Sequence, residues 1–147
     1  MHNAHNTPPI SATKSALQYL DRLIELDASA IGVSVTVVRD IGGCAGSKYD
    51  VSYLYNTSAK YIYLLADTNS FQLQTGISDE ILSVFNRSVY NLERKFIISV
   101  KHSQMLMMFR TVIDFDDDIV HGERLIFKNP NVTSQCGCGL SVNFDES

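Results

Sequence analysis

Hydrophobic and polar positions follow two different rhythms along the chain, and the switches between them divide it into elements. Residues 1–9 form a polar leader ending at Pro8-Pro9. Beyond it Leu17, Leu20, Leu23 and Ile24 recur at helical spacing, with Ser11 or Thr13 placed to cap the first turn. This predicts an N-terminal helix ending near Asp27. From Ile31 to Val38 the period shortens to two, with Ile31, Val33, Val35 and Val37 on one face and Gly32, Ser34 and Thr36 on the other, as a half-buried strand requires. The loop "DIGGCAGSKYD" follows, and then Tyr49, Val51, Tyr53 and Tyr55 alternate with mostly polar residues. The two runs predict a β-hairpin with Cys44 at or near its tip.

Farther on, Tyr61–Ala66 reads as a strand, while Ser78, Ile81, Leu82, Phe85, Val89 and Leu92 fit a single amphipathic helix. Phe96–Val100, Thr111–Phe115 and Arg124–Lys128 are β-branched or aromatic runs of strand length, and "SQMLMMF" at Ser103–Phe109 predicts a helical turn between the first two. The expected fold is mostly β, of the α+β class, in one domain over residues 10–144 with a short tail at 145–147. There is no internal repeat, low-complexity tract or long linker to divide it.

Composition narrows the choice of partners. The chain has 147 residues, 45% of them hydrophobic, which suits one ordinary core, and its net charge of -4 comes with scattered rather than clustered lysine and arginine. Neither nucleic acid nor a membrane is therefore an expected partner, and no apolar run approaches the roughly 20 residues that span a bilayer. The N-terminal residues lack the apolar stretch of a secretory signal, and the cysteine count of three is odd. Both features point to a reducing intracellular compartment, the cytoplasm or a mitochondrial-type matrix.

The cysteines carry the chemistry. "GGCAG" at Gly42–Gly46 between two strands, followed by "FKNPN" at Phe127–Asn131 and "CGCG" at Cys136–Gly139, resembles the A-type iron–sulfur carrier family, the HesB/IscA-like proteins. The likeness runs from about Ile10 through the hairpin and resumes from about Ser88 to Phe144, where "TVIDF" at Thr111–Phe115 resembles the stretch before the family's final strand. Two departures stand out. Residues 56–87 form a segment that the family normally lacks, partly helical by its pattern and expected as an inserted surface element. Leu140 stands where the family usually has an acidic residue.

The resemblance implies a compact HesB-like β domain with one N-terminal helix. It also implies a homo-oligomer, a dimer or higher, that receives clusters or iron during iron–sulfur biogenesis and passes them to apo iron–sulfur proteins. A monothiol glutaredoxin or a second A-type protein would be its donor or co-carrier. Cys44, Cys136 and Cys138 take the ligand role, for a [2Fe–2S] or [4Fe–4S] cluster.

Elementary chemistry agrees with that assignment. Cluster iron is held chiefly by cysteine thiolates, and glycine lets backbone N–H groups approach the cluster sulfurs. The Cα atoms of residues i and i+2 are at most about 7 Å apart, so Cys136 and Cys138 can converge on one centre if Gly137 supplies an unusual backbone angle. One copy offers three thiolates where a cluster needs four ligands. A second copy or a small-molecule thiol would complete the set. Zinc is the sharpest rival, since His121 or His102 would complete a Cys₃His tetrahedron, although C-x-C is not zinc-finger spacing. Mononuclear iron donation without a cluster is the other alternative.

Other residues have plainer readings. His2 and His5 lie in the leader and are read as solvated. Asp114, Asp116, Asp117 and Asp118 lack the frame of a calcium loop and are read as a solvated turn. Met105, Met107 and Met108 are read as core filler. No phosphate loop, nucleophile elbow or H-E-x-x-H helix is present, and the chain is not expected to be an enzyme.

Overall fold

The computed structural model describes residues 10–39, 47–58, 60–75, 77 and 79–130. A short strand β1 (Ile10–Ala12) leads into helix α1 (Lys14–Glu25), followed by β2 (Gly32–Arg39) and β3 (Ser47–Leu54). Then come β4 (Tyr61–Asp67), β5 (Gln72–Gln74), α2 (Asp79–Val84), α3 (Arg87–Glu93) and β6 (Lys95–Lys101). A 3₁₀ turn at His102–Gln104 and helix α4 (Met105–Met108) lead to β7 (Thr111–Asp118) and β8 (Gly122–Lys128).

The strands form two sheets. One has the order β1-β7-β8 and the other β3-β2-β6-β4-β5, so the mostly-β α+β expectation is met. Each sheet contains one parallel pair, β1 with β7 and β2 with β6, and the remaining neighbours are antiparallel. Side chains from both sheets and from α1 meet in one core that includes Leu17, Ile24, Val35, Leu64, Ile98 and Phe127. Thr13, one of the two candidate caps, is the N-cap of α1: its Oγ1 accepts from the Ala16 N–H at 3.2 Å and donates to Asp114 Oδ1 at 2.8 Å. The cap thus also ties the helix to β7. Gly32 cannot carry a side chain, because a Cβ there would lie 1.9 Å from the Ile97 carbonyl oxygen.

The single helix expected over 78–92 is two helices. Asn86 interrupts it with an extended backbone, and its Oδ1 accepts from the N–H groups of Ser88 and Val89 at 2.9 and 3.2 Å. Asparagine favours such a capping bond over continuing a helix, so α3 starts afresh there. Tyr90 is its buried anchor, and Leu92 is exposed. Arg94 ends α3 in the left-handed region (φ 55°) and reaches Asp21 on α1 at 2.7 Å.

Residues 56–87 also differ from the surface element expected of them. They supply β4, which lies between β6 and β5, and Leu64 and Ala66 are wholly buried in the main core. On the opposite sheet face, Tyr61, Ile77, Leu82 and Phe85 pack against a second core group of Ile31, Leu54, Tyr63 and Ile97.

Candidate functional site

All three predicted ligands, Cys44, Cys136 and Cys138, lie outside the described residues, as do His2 and His5. The structure does define the two places from which the cysteine-bearing stretches depart. The first is the base of the β2–β3 hairpin, where the antiparallel ladder runs to the pair Arg39↔Ser47 and thus brackets the connection that contains Cys44.

That base is held from both sides. β6 runs parallel to β2 only as far as Val35↔Val100, and beyond this point the Gln104 side chain takes over as a strand substitute. Its Oε1 accepts from the Val37 N–H at 2.9 Å and its Nε2 donates to the Val37 carbonyl at 2.8 Å. A primary amide has the same donor and acceptor as a peptide group, so it continues the ladder. Across the hairpin, Val37 pairs with Tyr49.

The second departure point is Asn129, which follows β8. Its Nδ2 donates to the Tyr49 hydroxyl at 2.7 Å and to the Met107 carbonyl at 2.8 Å. The Tyr49 ring stacks on Phe127 with centroids 4.5 Å apart. Burial pushes the Tyr49 phenol above its ordinary pKa, with the Asn129 hydrogen bond working against that shift. Tyr49 and Asn129 therefore join the root of the cysteine-bearing tail to the strand that leaves the Cys44 loop.

Sequence reasoning missed Gln104 and the tether made by Asn129. Gln104 was legible only as a polar residue in a helical turn, and Asn129 only as part of "FKNPN". Replacing Gln104 by alanine leaves two Val37 backbone groups without partners and is expected to cost about 1–3 kcal/mol. Urea denaturation would measure the loss, and faster exchange of the Val37 amide would place it at the hairpin base. An unchanged Val37 amide would mean that Gln104 does not hold the hairpin.

The histidines of the zinc alternative lie apart. His102 begins the 3₁₀ turn after β6, with its N–H on the Lys60 carbonyl at 2.9 Å. His121 sits in the β7–β8 turn with Nδ1 3.1 Å from Asp118 Oδ2, and it lines a cleft with Tyr49, Asp50 and Val51. Hydrogen bonds from the His121 N–H and ring hold the Asp118 carboxyl down at about 2. The acidic run is thus not the solvated turn expected of it but part of β7, with Asp114 paired to Lys128 at 3.0 Å and Asp116 to Arg124 at 3.2 Å. Met108 and Met105 pack in or against the core as expected, whereas Met107 is partly exposed. Among the described residues no group of three histidine, cysteine or acidic side chains is arranged to hold a metal ion, and no helix is long and apolar enough to cross a membrane.

The two-sheet α+β fold is shared with solved structures. The crystal structure of IscA with the [2Fe-2S] cluster superposes with a TM-score of 0.59 at 17% identity, covering 93% of this chain and 99% of that one. Among curated proteins, the iron-sulfur cluster insertion protein ErpA of Chromohalobacter salexigens is 29% identical over 133 residues, 90% of this chain and 89% of ErpA. The iron-sulfur cluster assembly protein SufA of Plasmodium berghei is 28% identical over 102 residues, 69% of this chain. The chain spans under half the length of the Plasmodium SufA proteins that it matches. Relatives with chloroplastic and mitochondrial names, from Arabidopsis thaliana and Gallus gallus, are 25% identical. No family model matches. These curated relatives, all named for iron–sulfur assembly or insertion, support an A-type iron–sulfur carrier family for this chain.

Proposed function

We propose that the chain binds an iron–sulfur cluster, [2Fe–2S] or [4Fe–4S], through Cys44, Cys136 and Cys138 and hands it to apo-proteins. The observation that carries this reading is the Tyr49–Asn129 bond, which roots the two cysteine-bearing stretches at neighbouring points. Cys44 is three positions before Ser47 and Cys136 seven beyond Asn129. Those lengths reach at most about 11 and 25 Å, enough for the thiolates to meet near the hairpin end.

Three thiolates per copy leave one ligand short, so the site is completed by a second copy in a homodimer or larger assembly, or by a small thiol. The cluster is cargo. Recipient thiols lose their protons and displace the three cysteines one by one, and the freed thiolates take up protons. Cluster charge and oxidation state are unchanged, so no electron donor is needed and the role is not enzymatic. A monothiol glutaredoxin or a second A-type protein is the proposed donor, in the cytoplasm or a mitochondrion-like organelle.

The rival is a mononuclear iron or Cys₃His zinc site, and His121 is the better placed fourth donor because it shares a cleft with Tyr49. Metal and acid-labile sulfide analysis of anaerobically purified protein separates the readings. Iron and sulfide in near-equal amounts are expected, followed by transfer to an apo-ferredoxin faster than free iron and sulfide achieve. Zinc or iron without sulfide would overturn the carrier reading.

A further inference from the structure

β4 and β6 pair with Tyr61 opposite Lys101, which sets Lys60 beside His102 at one end of the five-stranded sheet. Lys60, Lys101, His102 and Ser103, all exposed, line an open depression of about 480 Å³, with no carboxylate among the described residues of its lining. Of the other cations, Lys14, Arg87 and Arg110 form no ion pair among the described residues, whereas Arg22, Arg94, Lys95, Arg124 and Lys128 each reach an acidic side chain. Among the described residues neither Lys60 nor Lys101 does. Both lysines line the same depression, on a chain whose net charge is -4. The arrangement attracts an anion from outside, and the lysine stems give it an apolar floor.

The position of the depression is informative. β2 and β6 are parallel, so both end on the side of the sheet where β2 continues into the loop holding Cys44. Gln104, two residues after His102, is the side chain that holds Val37 at the base of that loop. We propose that the Lys60–Lys101–His102–Ser103 depression docks a carboxylate-rich segment of a partner protein beside the Cys44 loop. Lys60 belongs to residues 56–87, and the proposal gives that segment a recognition role. A protein segment suits the site better than a small anion does. The lysines are exposed point charges on an open surface, whereas small phosphate sites rely on converging backbone N–H groups or planar arginine forks.

Binding is independent of the carrier reading, and only its use in handing over cargo rests on that reading. The test is titration of a short fluorescent Glu/Asp-rich peptide into the full chain at low salt. Amide shifts of Lys101, His102 and Ser103 would be followed in the unmodified protein. Lys60→Glu and Lys101→Glu are each expected to weaken binding about tenfold, and Lys14→Glu, an equal charge change elsewhere, to leave it unchanged. The proposal is overturned if the peptide shifts other amides, if Lys14→Glu weakens binding as much as the pocket variants do, or if inorganic phosphate binds as tightly as the peptide. Sulfide content is recorded in the same samples, so failure to bind peptide leaves the carrier reading standing.

Discussion

Serine in place of Cys138 is expected to remove nearly all acid-labile sulfide and most iron from the purified protein while its far-ultraviolet circular dichroism stays unchanged. The thiolate is a soft, readily ionised ligand, and a hydroxyl remains protonated at neutral pH and binds iron weakly. With three thiolates per copy, one loss takes a pair of copies from six thiolates to four, the bare minimum for one cluster, and leaves none to spare against competing thiols. The secondary structure should be indifferent, since the side chains of the described core lie between Ile10 and Phe127. Cys44→Ser and Cys136→Ser should behave alike, because the three act as one set. A Cys138→Ser protein that keeps iron and sulfide in near-equal amounts would remove the tail from the site.

Deleting residues 56–87 is expected to prevent folding. The cut removes β4 from its place between β6 and β5, strips β6 of its antiparallel partner and takes Leu64 and Ala66 out of the core. It also takes away Ile77, Leu82 and Phe85, which cover the other sheet face. Leu64→Ala alone should cost about 2–5 kcal/mol, a large part of the roughly 5–15 kcal/mol that holds a domain together. Urea denaturation followed by circular dichroism reads both variants. A deletion variant that still unfolds cooperatively near the parent midpoint would show that the remaining strands close without β4.

What could be read from sequence was local. The two-residue period of Val33, Val35 and Val37, the spacing of Leu17, Leu20 and Ile24, and the strand at Tyr61 each report a face that one element buries, and all three form as expected. The break at Asn86 escaped because a helical pattern of apolar residues says nothing of a side chain that competes for backbone N–H groups. The three-residue strands β1 and β5 are too short to show a period. Parallel pairing of β2 with β6 has no local signature, and neither have the bonds from Gln104 to Val37 or from Asn129 to Tyr49, which join residues far apart in the chain. For the site, the cysteines were legible as a motif, whereas the side chains that fix its roots are chemically ordinary and gain their roles only from the fold.

The bond from Thr13 to Asp114 spans 101 positions, and β1 pairs with β7 over the same interval. Contacts so distant close slowly, because the intervening chain must be collected before they form. The β2–β3 hairpin joins neighbouring residues and can assemble early. During synthesis, then, the arm bearing Cys44 takes shape first. The sheet from which the stretch with the other two cysteines departs waits until β7 and β8 have left the ribosome, so the two roots of the proposed site form in succession, the hairpin before the sheet.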